Sequence, residues 1–455
     1  MGDTDSFVEK LRRRRFLRLS GAAGAAGLAG CLNQDEVQGN DDGGDGGDGD
    51  DGGDGGDGDD GGDGGDGGDG GDGGSSEPIV VGADIPFSGD LSDFGGPMLN
   101  AMEMAVEDIN AAGGPLGREF QVNDEDSGTD TTQGVNAANK LVNTDDVDAL
   151  IGAVSSGVTI SIAQSVTIPN DVIHLNSASS SPSISTLDDD DLVFRTRTND
   201  RFVAKVMARI VENEGASSAA VVYVNNDFGK ELANTFEDNF EGETTATVGF
   251  SSGQSSYDQV LSEAFSDDPE YIAFAGYPES GTTMLSQWNE GGYGGNWVLH
   301  TSMLSEDVIS NVGADVLEGM YGVRTKPPTG DATDSFVSDY EEEYPDADVF
   351  SPYSWNSYDS LVSYALAVHA AGSTDSSAVK EQMRNVSNPP GDEVSYGAFE
   401  DGVTAIDDGT EIDYSGPSGT VDFDDNGDVA SDMVIVEVVD GEFQDQEVIA
   451  ADDLV

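Results

Sequence analysis

Short apolar runs alternate with segments of helical periodicity along most of this chain. Residues 79–83 form a β-branched apolar run typical of a buried strand, and residues 98–109 carry apolar side chains at helical spacing. The alternation continues to residue 175 and restarts after Thr198. Strands that alternate with helices predict parallel sheets covered on both faces. We therefore expect an α/β protein with two doubly wound units in succession.

The periodicity gives approximate bounds for these elements. Strands are predicted at 79–83, 120–122, 149–151, 172–175, 219–224, 245–248, 271–274, 297–299 and 320–323. Helices are predicted at 98–109, 132–143, 158–168, 202–214, 229–240, 257–265, 282–288, 335–343 and 354–371. Near the C-terminus, residues 420–423 and 433–439 predict an antiparallel hairpin joined at Asp424-Asp425-Asn426-Gly427.

The topology of such units also predicts where a ligand binds. Ligands of open α/β sheets bind beyond the carboxyl ends of the strands. Two lobes of this kind that face one another would form a cleft, and hinge bending would close it.

The chain is strongly acidic, with 90 Asp and Glu against 18 Lys and Arg and a net charge of -72. From Pro78 onward the balance is still 70 acidic to 12 basic residues. Such a surface repels phosphate backbones, which excludes nucleic acid as a partner. It also repels itself in dilute buffer, whereas about 1 M salt shortens the screening length to roughly 3 Å. The acidity therefore indicates a halophilic protein adapted to concentrated salt.

Cysteine, histidine and motif content argue against several kinds of chemistry. A single cysteine excludes an internal disulfide, and the three histidines lack metal-ligand spacing. The sequence contains no Gly-x-Ser-x-Gly elbow, phosphate loop or strand-linked dinucleotide fingerprint. We therefore predict a protein that is not an enzyme and that uses no metal or cofactor.

The first thirty residues have the organisation of an export signal. Four consecutive arginines precede a small apolar run at 19–30, which is shorter than the ~20 residues that span a bilayer. The segment resembles the twin-arginine signal, whose matching residues are Arg13, Arg14, Phe16 and Leu17. That pathway carries folded proteins. Residues 1–30 are therefore predicted to be a twin-arginine lipoprotein signal peptide.

The signal ends at the sole cysteine. Leu28-Ala29-Gly30-Cys31 resembles a lipobox, so cleavage would leave Cys31 at the new N-terminus for lipid attachment. Stable anchoring requires two acyl chains, because a single chain binds only weakly. We expect an extracytoplasmic protein, anchored to the cell membrane through lipid on Cys31.

A tether follows the predicted lipid site. Residues 41–74 consist only of Asp and Gly, which offer nothing to bury. The 34 residues would have a coil dimension of roughly 30–35 Å before charge repulsion extends them. Residues 31–77 are therefore predicted to be a disordered Asp/Gly tether.

Several segments of the body match one family in order and spacing. These are residues 101–118, 123–126, 137–142, 151–157, 193–196, 276–279 and 421–428. Together they resemble the leucine/isoleucine/valine-binding protein family, the substrate-binding components of branched-chain amino acid ABC transporters. The resemblance spans 78–445 and, with the acidity and lipobox, points to a lipoprotein of haloarchaeal type.

The resemblance implies a type I periplasmic-binding fold with a hinge and a ligand cleft between two doubly wound lobes. Three crossings would join the lobes, near 195–199, 324–328 and 390–396. The first lobe would comprise 78–196 plus 327–392, and the second 197–326 plus 393–455. The implied function is delivery of a branched-chain or other amino acid, or a related polar metabolite, to permease subunits by a monomer. The alternatives are a ligand-sensing receptor-type protein of the same fold and, as a weaker candidate, an α/β enzyme.

The resemblance also suggests ligand contacts. Ser155 and Ser156 lie before a helix whose first amides attract anions, although Ser156 could equally be a helix cap. The next loop and an aromatic residue of the second lobe would add further contacts. These implied contacts are Ala178, Ser179, Ser180 and Tyr277.

Three positions depart from the family pattern. Phe94 and Phe228 stand where relatives often carry tyrosine, and Ser302 stands where relatives usually place the acid that pairs the ligand ammonium. Because a desolvated ammonium needs a partner, Asp227 or Glu279 would have to replace that acid. Otherwise the solute is an amide, a carboxylate or another polar metabolite.

Overall fold

The first part of the body builds one parallel sheet. A computed structural model of the protein describes residues 77–326, 329–347 and 353–454. The sheet contains β1 (Ile79–Ile85), β2 (Phe120–Asp126), β3 (Ala149–Gly152), β4 (Ile173–Asn176) and β5 (Val193–Arg195). Their order is β2-β1-β3-β4-β5, and all neighbouring pairs are parallel. The strand order reverses between β1 and β3, so the loops after these strands border a topological switch point.

Helices bury both faces of this sheet, as a parallel sheet requires. Along β3, Ala149 and Ile151 pack into one core cluster, while Leu150 packs into a separate cluster on the opposite face. This alternation follows from the two-residue period of a strand. The covering helices are α1 (Ser92–Ala111), α2 (Thr131–Asn143) and α3 (Ser156–Ile162), which continues as a π turn and a 3-10 turn to Asn170.

After the first crossing the chain builds a second sheet. Its parallel strands are β6 (Ser218–Val224), β7 (Glu243–Phe250), β8 (Tyr271–Ala275), β9 (Asn296–Leu299) and β10 (Tyr321–Thr325). The helices that precede or connect these strands are α4 (Asp200–Asn213), α5 (Asp227–Asn239), α6 (Asp258–Ala264), α7 (Pro278–Gly291), α8 (Glu306–Val312) and α9 (Ala314–Leu317). The carboxyl ends of β6, β8 and β9 therefore lead into Asn226, Tyr277 and His300.

The chain next returns to the first lobe. It forms α10 (Asp331–Glu343), α11 (Ser354–Ala371), α12 (Ser376–Ser387), β11 (Asp392–Val394), α13 (Phe399–Asp407), β12 (Ile412–Gly416) and β13 (Gly419–Thr420). Helix α11 packs against α1 and α12, and α13 also contacts α1. Residues 390–396, where we expected the third crossing, contain β11, which pairs with β12 in a separate three-stranded sheet.

The C-terminal hairpin also differs from the prediction. Residues 433–439 do form a strand, β14 (Met433–Val439), but it pairs with β10 and with β15 (Glu442–Ile449), so the predicted pairing with 420–423 is wrong. The turn is Asp440-Gly441, with φ of 55° and 81°. Positive φ at both residues is what a two-residue hairpin turn needs. The second sheet thus has the order β15-β14-β10-β9-β8-β6-β7.

A buried ion pair joins the end of β5 to the segment between β13 and β14. The Arg195 side chain is fully buried, and its Nε donates to Asp428 Oδ1 over 2.7 Å. The Arg195 backbone N–H donates to the Gly427 carbonyl over 2.7 Å. The turn at 424–427 therefore lies against the end of β5 and is not a hairpin tip. In the part of the chain that the structure describes, no helix has both the length and the apolarity to cross a membrane.

Candidate ligand-binding site

A hydrogen-bonded bridge connects the two lobes at the ends of their sheets. Ser155 follows β3, and its Oγ lies 3.0 Å from the hydroxyl of Tyr277, which follows β8. Asn226, the N-cap of α5, donates from Nδ2 to the same hydroxyl over 2.8 Å. Burial raises the pKa of Tyr277 to about 12. The tyrosine is therefore neutral and joins the lobes by hydrogen bonding alone.

Aromatic rings form the apolar walls of this region. Phe228 stacks on Tyr277 with ring centroids 5.5 Å apart, and its edge contacts His300 at 4.8 Å. In the first lobe, Phe94 packs edge-to-face on Tyr353 at 4.9 Å. All of these rings are buried. They lower the local dielectric, which strengthens electrostatic interactions among the polar groups they enclose.

One buried carboxylate lies at the start of the second lobe. Asp200 begins α4 immediately after the first crossing and is 1% exposed. Ser180 donates its hydroxyl to Oδ2 over 2.5 Å, and Oδ1 lies 3.1 Å from His300 Nε2. Because the Ser302 amide donates to His300 Nδ1 over 3.1 Å, the imidazole proton lies on Nε2 and points to Asp200. Residues of both lobes therefore converge on this carboxylate.

These partners keep Asp200 ionised. Burial by itself would raise the pKa of Asp200, but the attraction and hydrogen bond of His300 oppose it. The charge of Arg197 and the hydroxyl of Ser180 act in the same direction, and the net result is a pKa below the ordinary value. A buried negative charge can therefore pair with a cationic group between the lobes.

A buried arginine lies in the crossing just before Asp200. Arg197 is 2% exposed and donates from Nη1 to the Thr325 hydroxyl, where the second crossing begins. Its guanidinium carbon lies 5.7 Å from the centre of the Tyr353 ring. The remaining Nε and Nη2 donors have no hydrogen-bond partner among the described residues.

The structure places most of the predicted contact residues around these groups. The bridge and its aromatic wall contain Ser155, Tyr277 and Phe228. The buried pair of Asp200 and His300 is flanked by Ser180 and Ser302. Phe94 lies beside Tyr353.

The serine loops and Ser302 already have protein partners. Ser156 Oγ accepts from the Ser181 amide, Ser179 Oγ donates to the Ala153 carbonyl, and the Ala178 amide donates to Asn176. The Ser302 hydroxyl donates to the Gly276 carbonyl over 2.6 Å.

The two proposed substitutes for the missing acid lie elsewhere. Asp227 is exposed and borders a surface groove of about 530 Å³ with Ile160 and Leu187. Glu279 is also exposed and lies beside Asp90. Sequence reasoning missed Asp200, since an acid after Asn199 resembles ordinary helix capping. Its partner His300 is a hundred residues away, so no local signal revealed the pair.

The remaining predicted residues lie outside the described part of the chain. They are Arg13, Arg14, Phe16, Leu17 and Cys31. Among described residues, no group of three or more His, Cys, Asp or Glu side chains could hold a metal ion.

Curated relatives share most of the body. Residues 78–442 match the family model described as Periplasmic binding protein. The chain is 27% identical over 356 residues to the chemotactic signal transduction system substrate-binding protein BasB of Halobacterium salinarum, covering 76% of this chain and 84% of BasB. It is 26% identical over 311 residues to Leu/Ile/Val-binding protein homolog 3 of Brucella melitensis, covering 66% and 81% of the two chains.

Solved structures show the same fold. The leucine-binding protein LivK of Thermotoga maritima superposes with a TM-score of 0.70 at 24% identity, covering 82% of this chain and 99% of LivK. LivJ of Streptococcus pneumoniae, solved with isoleucine, gives 0.69 at 20% identity over 82% and 100%. A solute-binding protein of R. palustris, solved with benzoate, gives 0.68 at 16% identity over 82% and 96%.

The matching family and fold are those of solute-binding proteins rather than enzymes. Proteins of this family act outside the cytoplasm. The two lobes, the cleft between their strand ends and the match over 78–442 agree with one another. This chain has the type I periplasmic-binding fold and belongs to the periplasmic binding protein family.

Proposed function

We propose that this protein is the lipid-anchored solute-binding component of an ABC importer and that its solute is amino-acid-like. The observation that carries the proposal is Asp200, a buried carboxylate with a lowered pKa between the lobes. A desolvated ammonium needs an anionic partner, and Asp200 supplies one although Ser302 has replaced the usual acid. The solute ammonium would therefore bind Asp200.

Aromatic walls support this choice of ligand class. Phe228, Tyr277 and Phe94 present apolar surface beside a small number of polar groups, which is typical of small-molecule sites. A side chain with a hydrocarbon portion would pack on these rings. The proposal therefore favours an amino acid over a purely polar metabolite.

The mechanism we propose is closure of the cleft around the solute. A ligand that contacts both lobes favours the closed state by its difference in affinity for the two states. Ser155 and Tyr277 already meet across the lobes, which identifies the surfaces that closure brings together. The permease subunits would recognise the closed form, and the protein would act as a monomer.

Thermal unfolding of the full chain in molar KCl tests this function. Amino acids, amides and carboxylates are added one at a time, because a ligand selective for the native state raises Tm. We expect an amino acid to raise Tm and Asp200→Asn to abolish the shift, whereas Asp227→Asn leaves it unchanged. An amino-acid shift that survives Asp200→Asn would contradict the proposed ammonium partner.

The proposed location rests on the N-terminal sequence. Residues 1–30 would be exported through the twin-arginine pathway, lipid would be attached at Cys31, and residues 31–77 would form the tether. Metabolic labelling with a radioactive isoprenoid or fatty-acid precursor should label the wild type and not Cys31→Ser. Substituting lysine for both Arg13 and Arg14 should retain the precursor in the cytoplasm. An unlabelled wild type would remove the lipid anchor from the proposal.

For the domains, we propose boundaries near 197 and 327. The pairing of Arg195 with Asp428 supports a third boundary near 428 in place of 393.

A second candidate is a sensory role. The relative BasB is described as part of a chemotactic signal transduction system. The same closed form could dock on a membrane transducer instead of a permease. Deleting the gene in the source cells separates the two roles, because loss of solute uptake identifies the importer and loss of taxis alone identifies the transducer partner.

A further inference from the structure

Arg197 has unused hydrogen-bonding capacity in the interior. The side chain is 2% exposed, yet only Nη1 has a hydrogen-bond partner, the Thr325 hydroxyl. Nε and Nη2 are buried and unpaired among the described residues. A buried cation is costly unless its N–H groups are paired, so these donors need an acceptor.

The nearby carboxylate does not meet this need. Asp200 lies close enough for Arg197 to lower its pKa, but no hydrogen bond joins the two side chains, because Arg197 Nη1 donates to Thr325 and its other donors have no partner among the described residues. Arg197 instead packs its guanidinium over Tyr353, which in turn contacts Phe94. The unpaired donors therefore lie among the aromatic residues of the cleft.

The two unpaired nitrogens form one edge of the guanidinium. Nε–H and one Nη2–H are parallel, and this fork matches the two oxygens of a carboxylate. Of the serines implied by family resemblance, Ser179 and Ser180 already donate their hydroxyl protons to acceptors within the protein. We infer that Arg197 binds a carboxylate of the solute through Nε–H and Nη2–H; this rests on the proposed function.

Binding to Arg197 would also orient the solute in the cleft. Its carboxylate binds Arg197 at the first crossing, and its ammonium binds Asp200 three residues later. Both charges come from the hinge side of the cleft, and the apolar part of the solute then faces Phe228 and Tyr277. A solute without a carboxylate would leave the fork unpaired and would bind weakly.

Arg197 could instead serve only to tie the crossings together through Thr325. A purely structural arginine would affect carboxylates and their carboxamides alike, because both would depend on the same hinge. A carboxylate-binding arginine affects only the acid. Matched acid and amide ligands therefore separate the two roles.

The experiment measures binding by calorimetry and thermal shift on the full chain in molar KCl. The probes are the proteinogenic amino acids, succinate and benzoate, and each is compared with its carboxamide. We expect Arg197→Met to weaken the best carboxylate at least about 100-fold and its carboxamide less than about threefold, with Arg197→Lys in between, because lysine keeps the charge but loses the fork. Arg201→Met, which replaces an exposed arginine in the first turn of α4, is the matched control and should change neither.

The possible results have distinct meanings. Equal affinity of wild type and Arg197→Met for the carboxylate, or equal loss for acid and amide, overturns the role of Arg197 and leaves the proposed function intact. If the wild type binds carboxamides more tightly than the matching acids, the role of Arg197 is likewise overturned and the proposed function is left intact. If no probe binds the wild type, the proposed function fails, and the inference about Arg197 fails with it.

Discussion

The Nε2 atom of His300 lies 3.1 Å from Oδ1 of Asp200, and both side chains are buried. The imidazole holds the pKa of the carboxyl down in a site where burial would raise it. Asp200 therefore stays ionised below the ordinary pKa of an aspartate. The charge that we assign to ammonium binding is thus maintained by a residue from the end of a different strand.

Removing the imidazole should make binding depend on pH. In His300→Phe the pKa of Asp200 rises. As the pH falls through this raised pKa, the carboxylate becomes protonated and can no longer bind the solute ammonium. We expect about tenfold weaker binding at pH 7 and a further loss at pH 5, with little change for the wild type over that range. Calorimetry at both pH values measures this. His369→Phe, whose partner is the exposed Asp407, is the control; a parallel pH profile for His300→Phe and wild type would contradict the prediction.

The Tyr277 hydroxyl should contribute to closure. Tyr277→Phe keeps the ring that stacks on Phe228 and removes the bonds to Ser155 and Asn226. Each lost hydrogen bond is worth about 0.5–1.5 kcal/mol, so the loss of both should lower affinity about five- to 150-fold with little loss of stability. Calorimetry and thermal unfolding measure the two effects. Tyr293→Phe, in the same lobe, should change neither, and unchanged affinity in Tyr277→Phe would remove this bridge from the closure mechanism.

Asp84 should make folding stability fall as pH rises. It lies fully buried in β1, and burial together with Glu125 and Asp126 raises its pKa to about 8 against a smaller opposing effect of the Ala138 backbone. The unfolded aspartate titrates near its ordinary value of 3.8. Folding therefore takes up a proton between about pH 4 and 8, and stability falls by ~1.4 kcal/mol per pH unit for that proton.

Replacing the Asp84 side chain tests whether Asp84 is the group that takes up a proton on folding. Asp84→Asn should flatten the decline of unfolding free energy between pH 4 and 8, because the amide takes up no proton. Denaturant titrations in molar KCl at several pH values give the slope. The exposed Asp124→Asn should leave the slope as in the wild type; the same slope in Asp84→Asn would show that another group binds the proton.

Acidic groups of the two lobes meet at the rim of the cleft. Burial raises the pKa of Glu279 in the second lobe, and Asp90 and Asp93 in the first lobe raise it further. Closure therefore brings like charges together. It should become easier as pH falls through the raised pKa towards the ordinary 4.5, and also as salt screens the charges.

Glu279→Gln should reduce this salt dependence. We expect the affinity of the wild type for its solute to increase about threefold or more between 0.1 and 1 M KCl at pH 8. In Glu279→Gln this increase in affinity should be at most about half as large. Calorimetry across the salt series provides the comparison, with the exposed Glu290→Gln as control. A salt response identical in all three proteins would rule out repulsion at the rim as a cost of closure.

Regular buried elements could be predicted from the sequence because their signal is local. The helix predicted at 354–371 is observed as Ser354–Ala371, and the strand predicted at 219–224 lies within Ser218–Val224. Strand β15 was missed because it is a polar edge strand in which even Val448 is 51% exposed, so its hydrophobic pattern is weak. Its turn signal, Asp440-Gly441, was nevertheless present in the sequence.

The polar residues of the site were harder to predict than the elements that carry them. Family resemblance suggested Ser155 and Tyr277, which do meet in the structure. Asp200 acquires its significance from His300 and Ser180, and Arg197 from Tyr353 and Thr325. These relationships depend on three crossings that bring distant segments together, and no periodicity in the sequence reports them.

The interleaving of the lobes determines when each can finish folding. The first sheet is complete by Arg195, but α11, which packs on α1, is synthesised only after the whole of β6 to β10. The second sheet likewise waits for β14 and β15, and Arg195 waits for Asp428, 233 residues later. A chain emerging from the ribosome therefore holds two unfinished cores until nearly its last residue, and no truncation from the C-terminus leaves one intact half.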